Sequence, residues 1–411
     1  MFFIYNIGIQ FLHFILRCTA LFNKKIALGV KGRSKTFSLL ESHLNKDDKT
    51  LWFHCASLGE YEQGLPVFSE LRKLYSTHKI VLTFFSPSGY EIKKESSIAD
   101  IVIYLPLDTT SNAKIFLDIV NPELTVFVKY DIWPNLLNEL KKRSKRAILI
   151  SALFRKEQSY FKFYGKMMRE ALFAFEHIFV QDENSKHLLN TINYKAITVS
   201  GDTRFDRVMN QLEQNNTLDF IENFKQDELC VVGGSTWPED EHILIEVINS
   251  ENFKQVKFII APHNIKASQI KQLQKSITLK SVLYSKRKNK TLSDYNVLII
   301  DTIGLLSKIY SYADIAYVGG AIGKTGLHNT LEPAVFGIPI IIGTHYNNFP
   351  EAKAMIKNNG MFSIKNEKEL NTTLNNLILN QENRHNSGRN NLQYVKKNQG
   401  AVVQIINFIR K

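Results

Sequence analysis

Short runs of β-branched and aromatic residues alternate with stretches of helical spacing twice along this chain, and that alternation admits few folds. The first series is "LWFHCA" (51–56), "KIVLTF" (79–84), "IVIYL" (101–105), "LTVFV" (124–128), "RAILIS" (146–151) and "HIFV" (177–180). A polar, strand-poor stretch at 209–228 interrupts it. The series then restarts with "LCVVGG", "VKFIIA", "NVLII", "DIAYV" and "IPIII". Near-continuous apolar strands separated by helices are the mark of parallel α/β sheets covered on both faces. At 411 residues the chain exceeds one ordinary core, so two doubly wound domains are predicted. Ligands of such sheets bind at the carboxyl ends of the strands, and two facing units would enclose a cleft. The reading divides the chain into an N-terminal segment (1–35), a first domain (36–210), a second domain (226–385) and a C-terminal helical segment (386–411) that packs back on the first.

The N-terminal segment "MFFIYNIGIQFLHFILRCTALFNKK" holds no acidic residue; the first in the chain is Glu41. Its polar residues Asn6, Gln10, His13, Arg17 and Lys24 draw a narrow stripe down an otherwise apolar helix. That pattern, with Arg17 near its end, fits a helix lying in a membrane interface better than one spanning it, with the stripe facing water. A basic n-region is lacking, which argues against a cleaved signal. Lys24, Lys25, Lys31, Arg33 and Lys35 follow, as expected of a cytoplasmic flank against anionic lipid. The net charge of +13 agrees with an anionic partner. Nucleic acid is excluded as the partner by the lack of an aromatic-basic recognition motif. Cys18, Cys55 and Cys230 have neither disulfide nor zinc spacing. No His/Cys/Asp/Glu cluster has metal spacing, so neither metal nor cofactor is expected. The run "KKRSKR" (141–146) is read as a solvated helix end.

Two turns carry chemistry. In "HCASLGEYEQG" (54–64) Glu60 stands three residues after Ser57 at a strand-to-helix turn, the spacing of a capping box, so it is either a cap or a base. In "DIAYVGGAIGKTGLHNTLEPAVFG" a strand runs into a glycine-rich loop and then a helix start. Close backbone approach and free helix N–H groups suit a phosphate there. No P-loop spacing is present. Glu332 would repel a phosphate and fits a ribose one step away.

"HCASLGE", "YLPLD", "WPNLL", "VSGDTRFD", "GGSTWPEDE", "APHN", "DTIGLL", "HNTLEPAVFGIPIIIG" and "NNFPEA" stand in this order over residues 1–360. Together they resemble the 3-deoxy-D-manno-octulosonic acid (Kdo) transferases of lipopolysaccharide assembly. The resemblance implies a GT-B glycosyltransferase of two Rossmann-like domains that moves Kdo from CMP-Kdo to the lipid A precursor, lipid IVA, at the cytoplasmic face of the bacterial inner membrane, without a metal. It implies that Glu60 is the general base. Arg204 falls where the family commonly has a lysine that stabilises the transition state. Pro262, His263, Ile303, Gly304, Leu305, Asn329, Thr330, Leu331 and Glu332 fall on CMP-contacting segments.

The chain departs from the family in "KYDIWPN", where Lys129 and Asp131 stand for a pair of glutamates, and at His263, where an arginine is common. Lys129 keeps a catalytic position with its charge reversed. Ser235 and Thr236 serve equally well as phosphate contacts or helix caps. Gly320 and His328, in the glycine-rich loop, are candidate phosphate or sugar contacts. His54 is read as a buried strand histidine, and Trp133 and Pro134 as shaping a turn. Two other functions fit the same fold: a transferase or epimerase using a UDP-sugar, and an inactive membrane-bound binding protein.

Overall fold

The computed structural model describes residues 2–411 and divides into two units, the first running to Arg207 and including Gln399–Lys411, the second Val208–Asn398. Each is a seven-stranded, all-parallel sheet covered by helices.

In the first unit the strands are β1 (Thr50–Cys55), β2 (Lys79–Phe84), β3 (Ile101–Tyr104), β4 (Leu124–Val128), β5 (Arg146–Ala152), β6 (His177–Val180) and β7 (Ile197–Val199), in the order β3-β2-β1-β4-β5-β6-β7. Side chains alternate across the sheet, as the two-residue period requires. Leu51, Phe53 and Cys55 of β1 pack with Tyr61, Val67, Phe68 and Leu71 of helix α4, and with Val402, Ile405, Ile406 and Ile409 of the C-terminal helix Ala401–Ile409. Trp52 faces the other way, into a core with Leu40, Phe116 and Leu136. Here α4 is Leu58–Leu74, preceded by α1 (Phe2–Ala20), α2 (Lys24–Arg33) and α3 (Thr36–His43). The C-terminal helix is capped by Asp206, whose carboxylate accepts the Gly400 and Ala401 amides at 2.9 and 3.2 Å.

The second unit carries β8 (Cys230–Thr236), β9 (Lys257–Pro262), β10 (Ser281–Leu283), β11 (Val297–Ile299), β12 (Ile315–Val318), β13 (Ile340–Ile342) and β14 (Met361–Ser363), in the order β10-β11-β9-β8-β12-β13-β14. The strands that the sequence pattern does not announce are β7, β10 and β14. Each has three residues and lies at a sheet edge, where one side lacks a neighbour and a continuous apolar run is not needed.

Among the described residues no helix is long and apolar enough to cross a membrane. Helix α1 presents Phe3, Ile4, Ile7, Phe11 and Phe14 to solvent; of its polar stripe Gln10 and Arg17 are exposed as expected, whereas Asn6 and His13 are half-buried. Asn6 Oδ1 accepts from the Thr110 amide (3.1 Å) and Asn135 Nδ2 (3.3 Å), and the Tyr5 hydroxyl donates to Asp108 (2.9 Å). Gln10, His13 and Arg17 line a groove between α1, α2, α3 and the loop after β3. A polar group that leaves water needs a partner in its place, and for Asn6 the loop supplies one. Arg33 likewise turns inward: it donates to the Phe85 and Leu105 carbonyls and lies 4.4 Å from the Phe85 ring centroid. Burial lowers its pKa to about 10, and it does not belong to a lipid-facing flank.

Candidate active site

All loops that follow the strands of a parallel sheet emerge at one edge, so the turns after β1, β3, β4, β5 and β7 share a rim in the first unit. Glu60 lies in the first turn of α4, half-buried. The capping box expected of Ser57 and Glu60 does not form. The Ser57 side chain caps no backbone amide, and its hydroxyl donates to the Glu60 carboxylate instead. Glu60 is thereby oriented by a side chain while its helix start stays open. Burial, and then the charges of Glu60 and Asp131, push the Cys55 thiol well up, so this cysteine is a packed thiol.

Three residues further along α4, Gln63 donates to Asp202 (3.2 Å). Asp202, buried, accepts the Arg204 amide (2.9 Å) and pairs with Arg204 Nε (2.8 Å). Thr203 donates to the Gln63 carbonyl and shares a 2.7 Å hydrogen bond with Ser151. The helix that carries Glu60 is therefore stitched to the turn that carries Arg204.

After β4 the backbone of Lys129 takes φ +71°, a left-handed conformation that is costly for a residue with a Cβ and recurs at functional sites. Its ammonium lies 5.2 Å from the Tyr130 ring centroid. Asp131 accepts from Trp133 Nε1 (2.9 Å) and meets His54 Nε2 at 2.5 Å. His54 Nδ1 meets Thr83 Oγ1 at 2.8 Å, and Trp52 Nε1 donates to the same oxygen. His54 is fully buried and hydrogen-bonded at both nitrogens, which agrees with a structural histidine. Asp131 takes the indole of Trp133 as well. Burial raises Asp108, at the end of the loop after β3, to about 6, although the Asn135 and Leu136 amides and Tyr5 donate to it.

In the second unit the residue after β8, strand β12 and the glycine-rich loop after it converge on Asp240. It is buried, and its carboxylate accepts the Trp237 amide (2.9 Å), the Gly320 amide (2.8 Å) and the Tyr317 hydroxyl (2.7 Å). Gly320 has φ +95°, and a Cβ there would collide with the Gly326 carbonyl oxygen. Ser235 also has φ +52°. Trp237 stacks on His263 with centroids 4.6 Å apart, and His263 lies 4.5 Å from His328. Trp237 Nε1 donates to His328 Nε2 at 2.8 Å. An accepting Nε2 places the proton of the neutral ring on Nδ1. Burial, and then His263, hold His328 down to about 4, so both features keep it neutral at physiological pH.

The helix expected at "HNTLEPAVFG" is a single turn, Leu331–Ala334. Asn329, one residue before the N-cap Thr330, ties the turn: its Oδ1 accepts the Leu331 amide (3.2 Å) and its Nδ2 donates to Glu332 (3.1 Å). Thr330 is buried with its hydroxyl unpartnered within the protein. Ile303 is exposed beside Gly304, and Pro262 and Leu305 are half-buried. Among the described residues no group of three or more His, Cys, Asp or Glu side chains could hold a metal ion. Sequence reasoning passes over Gln63, Asp202, Trp237 and Asp240. The acidic first turn after Pro238 is the one signal that points to Asp240.

A family model described as "3-Deoxy-D-manno-octulosonic-acid transferase (kdotransferase)" matches residues 31–207. The 3-deoxy-D-manno-octulosonic acid transferase of Haemophilus influenzae is 25% identical over 379 residues, covering 88% of this chain and 86% of that protein. Its counterpart in Aquifex aeolicus is 27% identical over 334 residues, covering 80% and 86%. Residues 31–207 thus match the Kdo transferase family, and over most of its length the chain is similar to Kdo transferases. A bifunctional glycosyltransferase/methyltransferase of Fusobacterium nucleatum is 30% identical over 341 residues, and the chain spans 52% of its length. The UDP-GlcNAc 2-epimerase of Neisseria meningitidis, 16% identical with TM-score 0.64, covers 88% of this chain with all of its own. A glycosyltransferase of Rickettsia africae has TM-score 0.57 at 13% identity, covering 88% of this chain and 98% of its own. These two structural likenesses concern the fold alone. The two parallel seven-stranded sheets are an architecture that the chain shares with both proteins.

Proposed function

We propose that this chain is a Kdo transferase that takes Kdo from CMP-Kdo and attaches it to the lipid A precursor at the cytoplasmic face of the inner membrane, with Glu60 as general base. The observation that carries this reading is the placement of Glu60: on the carboxyl rim of the first sheet, oriented by the Ser57 hydroxyl, and spent on no backbone cap. In the step proposed, Glu60 accepts the proton of the acceptor hydroxyl as its oxygen bonds to the anomeric carbon. The bond from that carbon to the phosphate oxygen breaks, and CMP leaves with the electron pair. Arg204 and Lys129 supply positive charge on the first unit's rim. On the second unit, the loop of Gly320 meets phosphate, Ser235 and the neutral His328 donate, and Glu332 accepts from the ribose hydroxyls.

An acylated, phosphorylated acceptor is supported by the groove beside α1. It has a volume of about 780 Å³, with Leu16, Ala27, Val30, Phe37 and Leu107 in its walls and Arg17 and Lys31 among its lining. The exposed apolar face of α1 supports attachment in the membrane interface, with anionic lipid as partner. The test is incubation of the purified full chain with CMP-Kdo and a tetraacyl lipid A precursor, read by mass spectrometry. A product heavier by one or more Kdo residues is expected. No product with CMP-Kdo, and a sugar transferred or epimerised from a UDP-sugar, would replace the reading.

A further inference from the structure

The loop between β5 and the helix Lys166–Leu172 ends in a turn whose corners are the wrong kind of residue for water. The Gly165 amide donates to the Lys162 carbonyl at 3.0 Å, which makes Phe163 and Tyr164 the two central residues. Such corners ordinarily go to Gly, Pro, Asn, Asp or Ser. Phe163 is 94% exposed and Tyr164 59% exposed, with their rings near-perpendicular at 5.2 Å. One exposed apolar side chain is ordinary on a soluble surface. Two adjacent rings on a rigid base are a different matter, and this base is rigid. Phe154, Tyr160 and Phe161 pack edge-to-face beneath it with centroids 5.8 to 6.0 Å apart. Tyr160 donates to the Tyr130 carbonyl, and the Phe154 amide donates to buried Ser185.

The charge around the turn is one-sided. Between 155 and 166 stand Arg155, Lys156, Lys162 and Lys166 against the single acid Glu157. Lys166 has Glu170 at 3.9 Å, and Arg155 and Lys156 are exposed. Aromatic rings beside lysines match the interface of an anionic bilayer, where rings sit at headgroup depth and ammonium groups meet phosphate.

We infer that the Phe163–Tyr164 turn is a second membrane contact, which dips its two rings into an anionic lipid surface. The turn follows β5 and Glu60 follows β1, so both lie on the carboxyl rim of the first sheet. Tyr5 of α1 is tied to Asp108, after β3, on the same rim. With contacts at β3 and β5 flanking β1, the rim that carries Glu60 is held against the leaflet. The inference rests on the membrane-embedded acceptor proposed above for its purpose, and on the turn alone for its binding.

The full chain carrying Phe163→Trp, with vesicles of phosphatidylglycerol and phosphatidylcholine, tests it. The added indole is expected to shift to the blue and to be quenched by brominated acyl chains, beyond the signal of the three native tryptophans in wild type. The double variant Phe163→Ser/Tyr164→Ser is expected to partition roughly tenfold more weakly into these vesicles, and to keep wild-type turnover on detergent-dispersed acceptor. If the added indole stays water-exposed on vesicle-bound protein, the inference is overturned and the turn is a surface for protein or solvent. Equal partition of the double variant and wild type also overturns it. Loss of turnover in detergent would count against the proposed reaction geometry, not against lipid binding, which is read separately.

Discussion

Replacing Gly320 by alanine separates two demands that the glycine-rich loop makes. The residue sits at φ +95°, and its Cβ would run into the Gly326 carbonyl oxygen, a backbone atom that cannot rotate away. The backbone conformation alone costs an L-residue about 1–2 kcal/mol. Relieving the clash requires opening the turn closed by the Gly326 amide on the Gly320 carbonyl (3.1 Å) and displacing the Gly320 amide from Asp240 (2.8 Å). Two weakened hydrogen bonds, one to a buried carboxylate, add about 2–3 kcal/mol. Gly326 is the control: it has φ +99°, but a Cβ there meets nothing within 4 Å, so Gly326→Ala bears the conformational cost alone. The second unit should lose about 3–5 kcal/mol in Gly320→Ala and about 1–2 kcal/mol in Gly326→Ala, measured by urea unfolding. CMP affinity, by calorimetry, should fall at least tenfold in the first and little in the second. Equal losses in the two variants would refute the close-approach argument, and unchanged CMP affinity in Gly320→Ala would place the nucleotide elsewhere.

The neutral state of His328 gives a pH signature. Its pKa in the fold is about 4, below the unfolded value of about 6.5, so its contribution is full above pH 6.5 and is lost as pH falls toward 4. Trp237→Phe removes the donor to Nε2 and should raise the His328 pKa, read by NMR; an unmoved pKa would mean that burial alone sets it. Ile405→Ala empties a fully buried site between the C-terminal helix and the first sheet. It should destabilise the first unit by about 2–5 kcal/mol, and a melting point within a degree of wild type would show that the helix packs loosely.

The strands most legible in the sequence are those buried on both faces. "LTVFV" and "HIFV" are β4 and β6 to the residue. Edge strands such as β7, all three residues of which are half-buried, lack the apolar run that announces a central one. Orientation is harder to read than existence. The spacing of Asn6, Gln10, His13 and Arg17 marks one face of α1, but nothing local says whether water or the Asp108–Thr110 loop meets it. Arg33 reads as a lipid-facing charge because the Phe85 and Leu105 carbonyls that hold it lie 52 and 72 residues away. Ser57 and Glu60 have capping-box spacing, yet the hydroxyl donates to the carboxylate and its oxygen caps no backbone amide, an outcome the spacing alone does not decide. The convergence on Asp240 depends on β8 and β12 being neighbours, which is a matter of sheet order and not of sequence proximity.

The central claim is that Glu60 is a base and not a cap, and Glu60→Gln tests it most directly. The amide keeps the size and can still accept the Ser57 hydroxyl, but it cannot take a proton. Proton transfer by a positioned side chain contributes about 10²–10⁴-fold. Turnover of CMP-Kdo with the lipid acceptor should therefore fall by roughly that factor in Glu60→Gln, with CMP affinity and melting temperature as in wild type. Near-normal turnover in a folded Glu60→Gln protein would contradict the account.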